Sequence, residues 1–167
     1  MSSLINFSAG PSILPKVVFK EAAQAVLYFN GSGLSILEIS HRSSHFEPVI
    51  REAESLVREL LGLPDDYAVL FLTGGASTQF FMTAMNLLPE GRKAAYVDTG
   101  VWSAKAIKEA GMLGAIDVIA SSKESNYNHI PKGFTVADDY VYLHLTSNNT
   151  IYGTQFQEWP DSPVPLV

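Results

Sequence analysis

Leu72-Thr73-Gly74-Gly75-Ala76-Ser77-Thr78-Gln79-Phe80 follows directly on the apolar run Val69–Leu72 and precedes apolar residues spaced for a helix. A strand entering and a helix leaving at paired glycines admits two readings. In the first, the backbone N–H groups of Ala76 and Ser77 and the positive end of the helix dipole hold an anion, with Ser77 and Thr78 adding hydroxyls. In the second, the glycines only allow close packing behind an N-capped helix. The run has neither the GxxxxGK[ST] of a P-loop nor the GxGxxG of a dinucleotide fold, so it names no nucleotide.

Upstream of this corner, Tyr67 to Leu72 reads as a short strand buried on both faces, following the turn Pro64-Asp65-Asp66. Before it, Phe46, Val49, Ile50, Ala53, Leu56, Val57 and Leu60 make one apolar helical stripe, with Glu54 and Arg58 paired on the other side and Gly62 as the stop. An earlier helix opens after Pro15 and carries Val18, Ala22, Ala25 and Phe29 up to Asn30-Gly31.

Downstream, the alternation continues. Strand AAYV (94–97) leads to the corner Asp98-Thr99-Gly100 and a helix from Trp102 to Leu113, and strand AIDVIA (115–120) follows. A polar stretch from Ser121 to Asp139 reads as a surface excursion. Tyr140 to Leu145 is a further strand, ending in the corner Thr146-Ser147-Asn148-Asn149-Thr150. Strand–helix alternation predicts an α/β domain built on a mainly parallel sheet with flanking helices. Its carboxyl edge would gather the three corners into one crevice, where such sheets place ligands. The chain reads as a single α/β domain, with a helical segment over residues 1–66 and the sheet over 67–167. It stops inside the apolar run DSPVPLV, which gives the expectation of a truncated domain.

Composition narrows the function classes. The chain has 167 residues, 47% of them hydrophobic, which suits a folded core and not a disordered segment. A formal charge of −6 with scattered lysines and arginines offers no field for a phosphate backbone, so nucleic acid is not an expected partner. No apolar run approaches the roughly 20 residues of a membrane span, so no membrane role is expected, and MSSLINFSAG lacks the layout of a secretory signal. The absence of cysteine suits the cytoplasm. His41, His45, His129 and His144 are the histidines, and without an HExxH pattern no metal site is expected.

Trp102, at the head of its helix, can stack on a flat ring or pack over the sheet end. In Ser40-His41-Arg42-Ser43, Arg42 can fork onto a carboxylate or phosphate, or pair with Glu38 or Glu47.

NFSAGPSILP (6–15), LEISHRS (37–43), REAESLVRELLGLP (51–64), VLFLTGGASTQF (69–80), YVDTGVWSAKAIKEA (96–110) and YLHLTSNNTIYG (142–153) together resemble the phosphoserine aminotransferase family, class-V aminotransferases of fold type I that use pyridoxal 5'-phosphate. The resemblance implies a partial large domain of such an enzyme. It also implies a homodimer and transfer of an amino group between glutamate and 3-phosphohydroxypyruvate, giving phosphoserine in serine biosynthesis, with a related role in pyridoxine biosynthesis. Carried over by position, Ala76, Ser77, Trp102 and Thr150 are the expected cofactor residues. His41 and Arg42 are the expected substrate residues. Some relatives carry arginine where Ser77 stands and serine where Ala9 stands, so one anion contact and one hydroxyl contact differ here.

In the family, the aspartate that pairs with the pyridine nitrogen and the Schiff-base lysine come further along the chain. No catalytic residue is therefore assigned, and none of Lys16, Lys20, Lys93, Lys105, Lys108, Lys123 and Lys132 is expected at a carboxyl strand edge. Transamination needs that lysine, so this chain alone is expected to be inactive. Two other outcomes stand beside this reading: a non-catalytic module that binds an anion or the cofactor, and a purely structural fragment.

Overall fold

The computed structural model describes residues 4–167, which form two compact units, one running up to Phe71 and the other Leu72–Val167. In the first, helix α1 (Lys16–Leu27) begins after Pro15 and ends before Asn30 and Gly31, both at positive φ. A short 3-10 turn (Ile36–Glu38) is closed by a capping box: Leu37 N–H donates to Ser35 Oγ, and Ser35 N–H donates to Glu38 Oε2. Helix α2 (Glu47–Leu61) has Pro48 in its first turn and Gly62 in the left-handed region at its end, where Leu63 N–H reaches back to the Arg58 carbonyl. Glu54 and Arg58 pair at 3.2 Å as their spacing predicts. No residue of α1 or α2 is buried, and Phe29 is the buried apolar residue among the described residues of this unit.

The second unit is organised around β1 (Lys93–Asp98), with helix α3 (Gly75–Leu87) before it and α4 (Val101–Gly111) after it. Strand β2 (Ala115–Ser121) pairs parallel to one side of β1, and β3 (Leu143–His144) pairs parallel to the other, giving the order β2-β1-β3. The β1–β2 register runs from Lys93 opposite Ala115 to Asp98 opposite Ser121, with a one-residue bulge after Tyr96. Beyond β3, the apolar end of the chain continues the sheet: Leu143 N–H donates to the Pro165 carbonyl and Val167 N–H to the Leu143 carbonyl, each at 2.9 Å.

Because successive side chains of a strand face opposite ways, β1 serves two cores. Ala94 and Tyr96 pack under the helices with Ala84, Ala106, Ala110 and Tyr142. Alanines at these positions let α3 and α4 lie close to the sheet. Ala95 and Val97 face the opposite side, with Leu143, Val136 and Phe156. A short antiparallel pair, β4 (Asn148–Asn149) and β5 (Thr154–Gln155), folds the last corner back on itself.

Two expectations are corrected here. Tyr67 to Leu72 forms no strand: no described segment pairs with it, and Leu70, Phe71 and Leu72 are exposed. Its apolar pattern fits a buried strand, but pattern alone supplies no ladder partner. The stretch from Ser121 to Asp139 is not merely a surface excursion, since Tyr127 and Val136 are buried and Ile130 and Phe134 pack on the second core. A sheet with two apolar faces needs a cover on each, and this loop supplies one.

Candidate cofactor cleft

Each of the three corners has its own local cause. Gly74 precedes α3 at φ +94°, where a side chain would overlap Thr78 Oγ1, the hydroxyl that donates to the Gly74 carbonyl at 2.9 Å. No side chain caps α3, so its first N–H groups keep free donor capacity.

At the second corner, Ser103 holds the chain. Its Oγ accepts from the N–H groups of Thr99 and Gly100, both at 2.8 Å. Its single proton has Asp98 Oδ1 at 3.0 Å and the Gly100 carbonyl at 2.8 Å as alternative acceptors. Asp98 is buried and also accepts from Ser121 at 3.2 Å and Tyr127 at 3.0 Å. Burial, and then the bond to Asp98, push the Tyr127 phenol up to about 12. The result is a fixed turn that presents Val101 and Trp102 at the head of α4.

At the third corner, Asn149 is buried and donates from Nδ2 to Thr99 Oγ1 at 3.1 Å and to Thr154 Oγ1 at 3.3 Å. The second and third corners are thereby locked together.

The corners close on a cleft of about 520 Å³ whose lining includes Gly75, Ala76, Ser77, Trp102, His144 and Thr150. The indole Nε1–H of Trp102 donates to Thr150 Oγ1 at 3.2 Å across 48 residues of sequence. The structure therefore brings Ala76, Ser77, Trp102 and Thr150, the expected cofactor residues, to one hollow. His41 and Arg42 belong to the other unit, exposed in the turn before α2.

Other features of the cleft were not singled out as site residues from the sequence. Lys105 Nζ donates to Ser77 Oγ at 2.7 Å, so a lysine does reach a corner at the carboxyl edge. This corrects the expectation that none would. The legible signal was its position three residues after Trp102, on the same face of α4. His144 is buried, stacks on Tyr96 at 4.8 Å between ring centroids and meets Phe80 edge-on. Its Nδ1 has no partner, nor has Thr146 Oγ1, and both residues line the cleft. Desolvation pushes the His144 imidazole down to about 4, so the ring is neutral at pH 7.

The aminotransferase class-V family model matches residues 4–161. The chain belongs to the class-V aminotransferases. Among curated relatives, phosphoserine aminotransferase of Phocaeicola vulgatus is 57% identical over 162 residues, which is 97% of this chain and 45% of that protein. The Flavobacterium psychrophilum enzyme of the same name is 58% identical over 163 residues, 97% of this chain and 46% of its own length. The chain thus spans about half the length of the curated relatives it matches.

Solved structures agree. A phosphoserine aminotransferase studied for radiation damage of its Schiff base superposes with a TM-score of 0.94 at 48% identity, covering 99% of this chain and 47% of that one. Phosphoserine aminotransferase from Bacillus circulans subsp. alkalophilus gives 0.90 at 49% identity, over 96% of this chain and 45% of that one. The pyridoxal-phosphate-bound enzyme from Trichomonas vaginalis gives 0.89 at 35% identity, over 96% and 49%. The α/β architecture with its parallel sheet is that of the N-terminal part of these class-V enzymes.

Proposed function

We propose that this chain carries the phosphate and ring contacts of a pyridoxal 5'-phosphate site, as part of a phosphoserine aminotransferase acting on 3-phosphohydroxypyruvate and glutamate. The observation that carries the reading is the convergence of Ser77, Trp102 and Thr150 on one cleft, with Trp102 Nε1 and Thr150 Oγ1 only 3.2 Å apart. The residues present fit the group. Free N–H donors at the start of α3 suit a phosphate, the indole face suits a pyridine ring, and the Ser77 and Thr150 hydroxyls on the lining suit a polar ligand.

When bound, pyridoxal phosphate supplies an electron sink for bonds at the amino-acid α-carbon. The chain's own residues bind and orient. Ala76 and Ser77 offer N–H groups and a hydroxyl, Trp102 limits the tilt of the ring, and Thr150 fixes the indole that does so. Neutral His144 keeps its side of the floor uncharged. Arg42 and His41 are proposed to recognise the acid groups of the substrate in the assembled enzyme, a cytoplasmic homodimer.

The 167-residue chain on its own is proposed to bind without turning over. Lys105 is engaged with Ser77, and Lys93 lies at the amino end of β1 with Asp117 at 2.8 Å. Titration with pyridoxal phosphate, followed by tryptophan quenching in a Trp159→Phe background, tests this. Saturable quenching, weakened about fivefold by Thr150→Val through loss of one hydrogen bond of about 1 kcal/mol, is expected, with no lysine at the cleft labelled after borohydride. Absence of saturable binding overturns the site and leaves a structural fragment. A borohydride-stable adduct on a lysine at the cleft overturns the claim of inactivity.

A further inference from the structure

We infer that Lys105 is the charge-supplying and positioning residue of the anion end of this cleft, acting through the Ser77 hydroxyl. The inference rests on the cofactor reading above and names how the phosphate would be held. The bond from Lys105 Nζ to Ser77 Oγ is 2.7 Å, so the hydroxyl oxygen is occupied as an acceptor and its own proton is left to donate elsewhere. That proton sits in the first turn of α3, beside uncapped backbone N–H groups. An anion there receives the N–H groups, the Ser77 O–H and, one step behind it, a full positive charge.

Three observations make Lys105 more than a surface lysine resting on a serine. Every residue lining the cleft is uncharged apart from His144, which burial keeps neutral at pH 7, so the lining itself brings no cation to a phosphate. Among the described residues, no other lysine or arginine hydrogen-bonds a side chain that lines the cleft, and Lys105 forms no ion pair. Its position is built by packing: α3 and α4 lie against each other, and Lys105 stands one turn after Trp102, whose ring lines the same cleft. His144 and Thr146, which line the cleft, each carry a buried polar atom without a hydrogen-bond partner. Lysine suits this task because its ammonium is a point charge on a flexible stem and can follow the anion.

The test compares pyridoxal 5'-phosphate, inorganic phosphate and pyridoxal as probes on the wild-type chain and on Lys105→Gln, Lys105→Arg, Ser77→Ala and the Lys105→Gln/Ser77→Ala double variant. Lys105→Gln is expected to weaken both phosphate-bearing probes about tenfold, the scale of one charge-assisted hydrogen bond at a partly exposed position, and to leave pyridoxal unchanged. It also flattens the salt dependence of pyridoxal phosphate binding, and Lys105→Arg restores affinity. In the double variant the losses are less than additive, because both residues serve one contact. Equal phosphate affinity and an equal salt slope in Lys105→Gln overturn the inference while leaving the cofactor reading intact. If the wild-type chain binds none of the probes, the cofactor reading falls and takes this one with it. Should Lys105→Gln lose its fold by circular dichroism, Lys105→Arg and Ser77→Ala decide: failure of arginine to bind phosphate like wild type, or no loss in Ser77→Ala, refutes the role.

Discussion

Adding one methyl group at Gly100 tests whether the second and third corners are locked as tightly as the geometry requires. A Cβ built on Gly100 overlaps Asn149 Oδ1, comes within 2.9 Å of its Cγ and lies 3.2 Å from Tyr152 Cδ2. Asn149 is 2% exposed, so it has no free space to swing into without leaving Thr99 and Thr154. Displacing it forfeits two hydrogen bonds worth about 1 kcal/mol each, and the glycine backbone, at φ +157° and ψ −166°, adds about 1 kcal/mol for a residue with a side chain. Gly100→Ala should therefore cost about 3 kcal/mol of stability. Asn149→Ala alone should cost about 2 kcal/mol, from the same two hydrogen bonds. With Asn149 truncated the methyl group has room, so the double variant should cost about 3 kcal/mol where independent sites would give about 5, a coupling of about 2 kcal/mol. Urea melts by far-UV circular dichroism on the four proteins measure this cycle. Additivity within about 0.5 kcal/mol would show that Asn149 steps aside freely, and the lock between corners would have to be abandoned.

Two further outcomes concern the buried rings beneath the cleft. His144 is neutral in the folded chain because burial pushes it from its ordinary 6.5 down to about 4, so the unfolded chain takes up a proton that the folded chain refuses between those values. Its contribution is complete above about pH 6.5 and shrinks as pH falls toward 4, by about 3 kcal/mol in all. Stability curves for wild type and His144→Asn should converge across that window, and an imidazole that titrates near 6.5 by NMR would refute the burial argument. The hydroxyls of Tyr96 and Tyr142 meet at 2.8 Å inside the first core. Replacing either tyrosine by phenylalanine should cost about 1–2 kcal/mol by leaving its partner unsatisfied, while replacing both should cost less than the two singles together, as denaturant melts would report.

The elements that were legible in the sequence are those whose partners are close in the chain. Helix α2 needs only its own stripe, its Glu54–Arg58 pair and Gly62, and it starts and stops where these place it. The alternation from β1 through α4 to β2 is a local crossover unit, so periodicity and corner residues sufficed. Tyr67 to Leu72 failed because a strand is defined by its neighbour, and an apolar run cannot say whether the neighbour is present. The stretch around Tyr127, Val136 and Phe134 misled for the opposite reason: a few apolar residues spread through a polar segment have no period, yet each fills a place on the second core. In the cleft, Ser77, Trp102 and Thr150 could be placed because each sits just past the expected carboxyl end of a strand. Lys105 reads as a helix residue, and its three-residue spacing from Trp102 puts both on the cleft-facing side of α4 without saying that the ammonium reaches Ser77. Asp98, which gathers Ser103, Ser121 and Tyr127, draws on residues up to 29 positions away, and no local pattern announces such a convergence.

Size alone would favour a different hollow. A cleft of about 730 Å³ opens at the amino ends of the strands, lined by residues including Arg92, Lys93, Gly114 and Asp139. Its cations are already committed. Lys93 Nζ lies 2.8 Å from Asp117 Oδ2 and 4.0 Å from Asp139 Oδ2, and that carboxylate pairing raises the lysine above its ordinary pKa, while Arg92 Nη2 donates to the Asp139 carbonyl. An anion arriving there must first displace a carboxylate, and no helix among the described residues of this unit begins at that edge to offer backbone N–H groups. At the carboxyl ends the balance is reversed. The first N–H groups of α3 lack side-chain caps, Ser77 has a proton to give, Lys105 lacks a carboxylate partner, and two lining residues carry a buried polar atom without a partner. Binding at this end would complete interactions that the fold leaves open, whereas binding at the other end would break interactions already made, and that difference is the reason the smaller cleft is the proposed site.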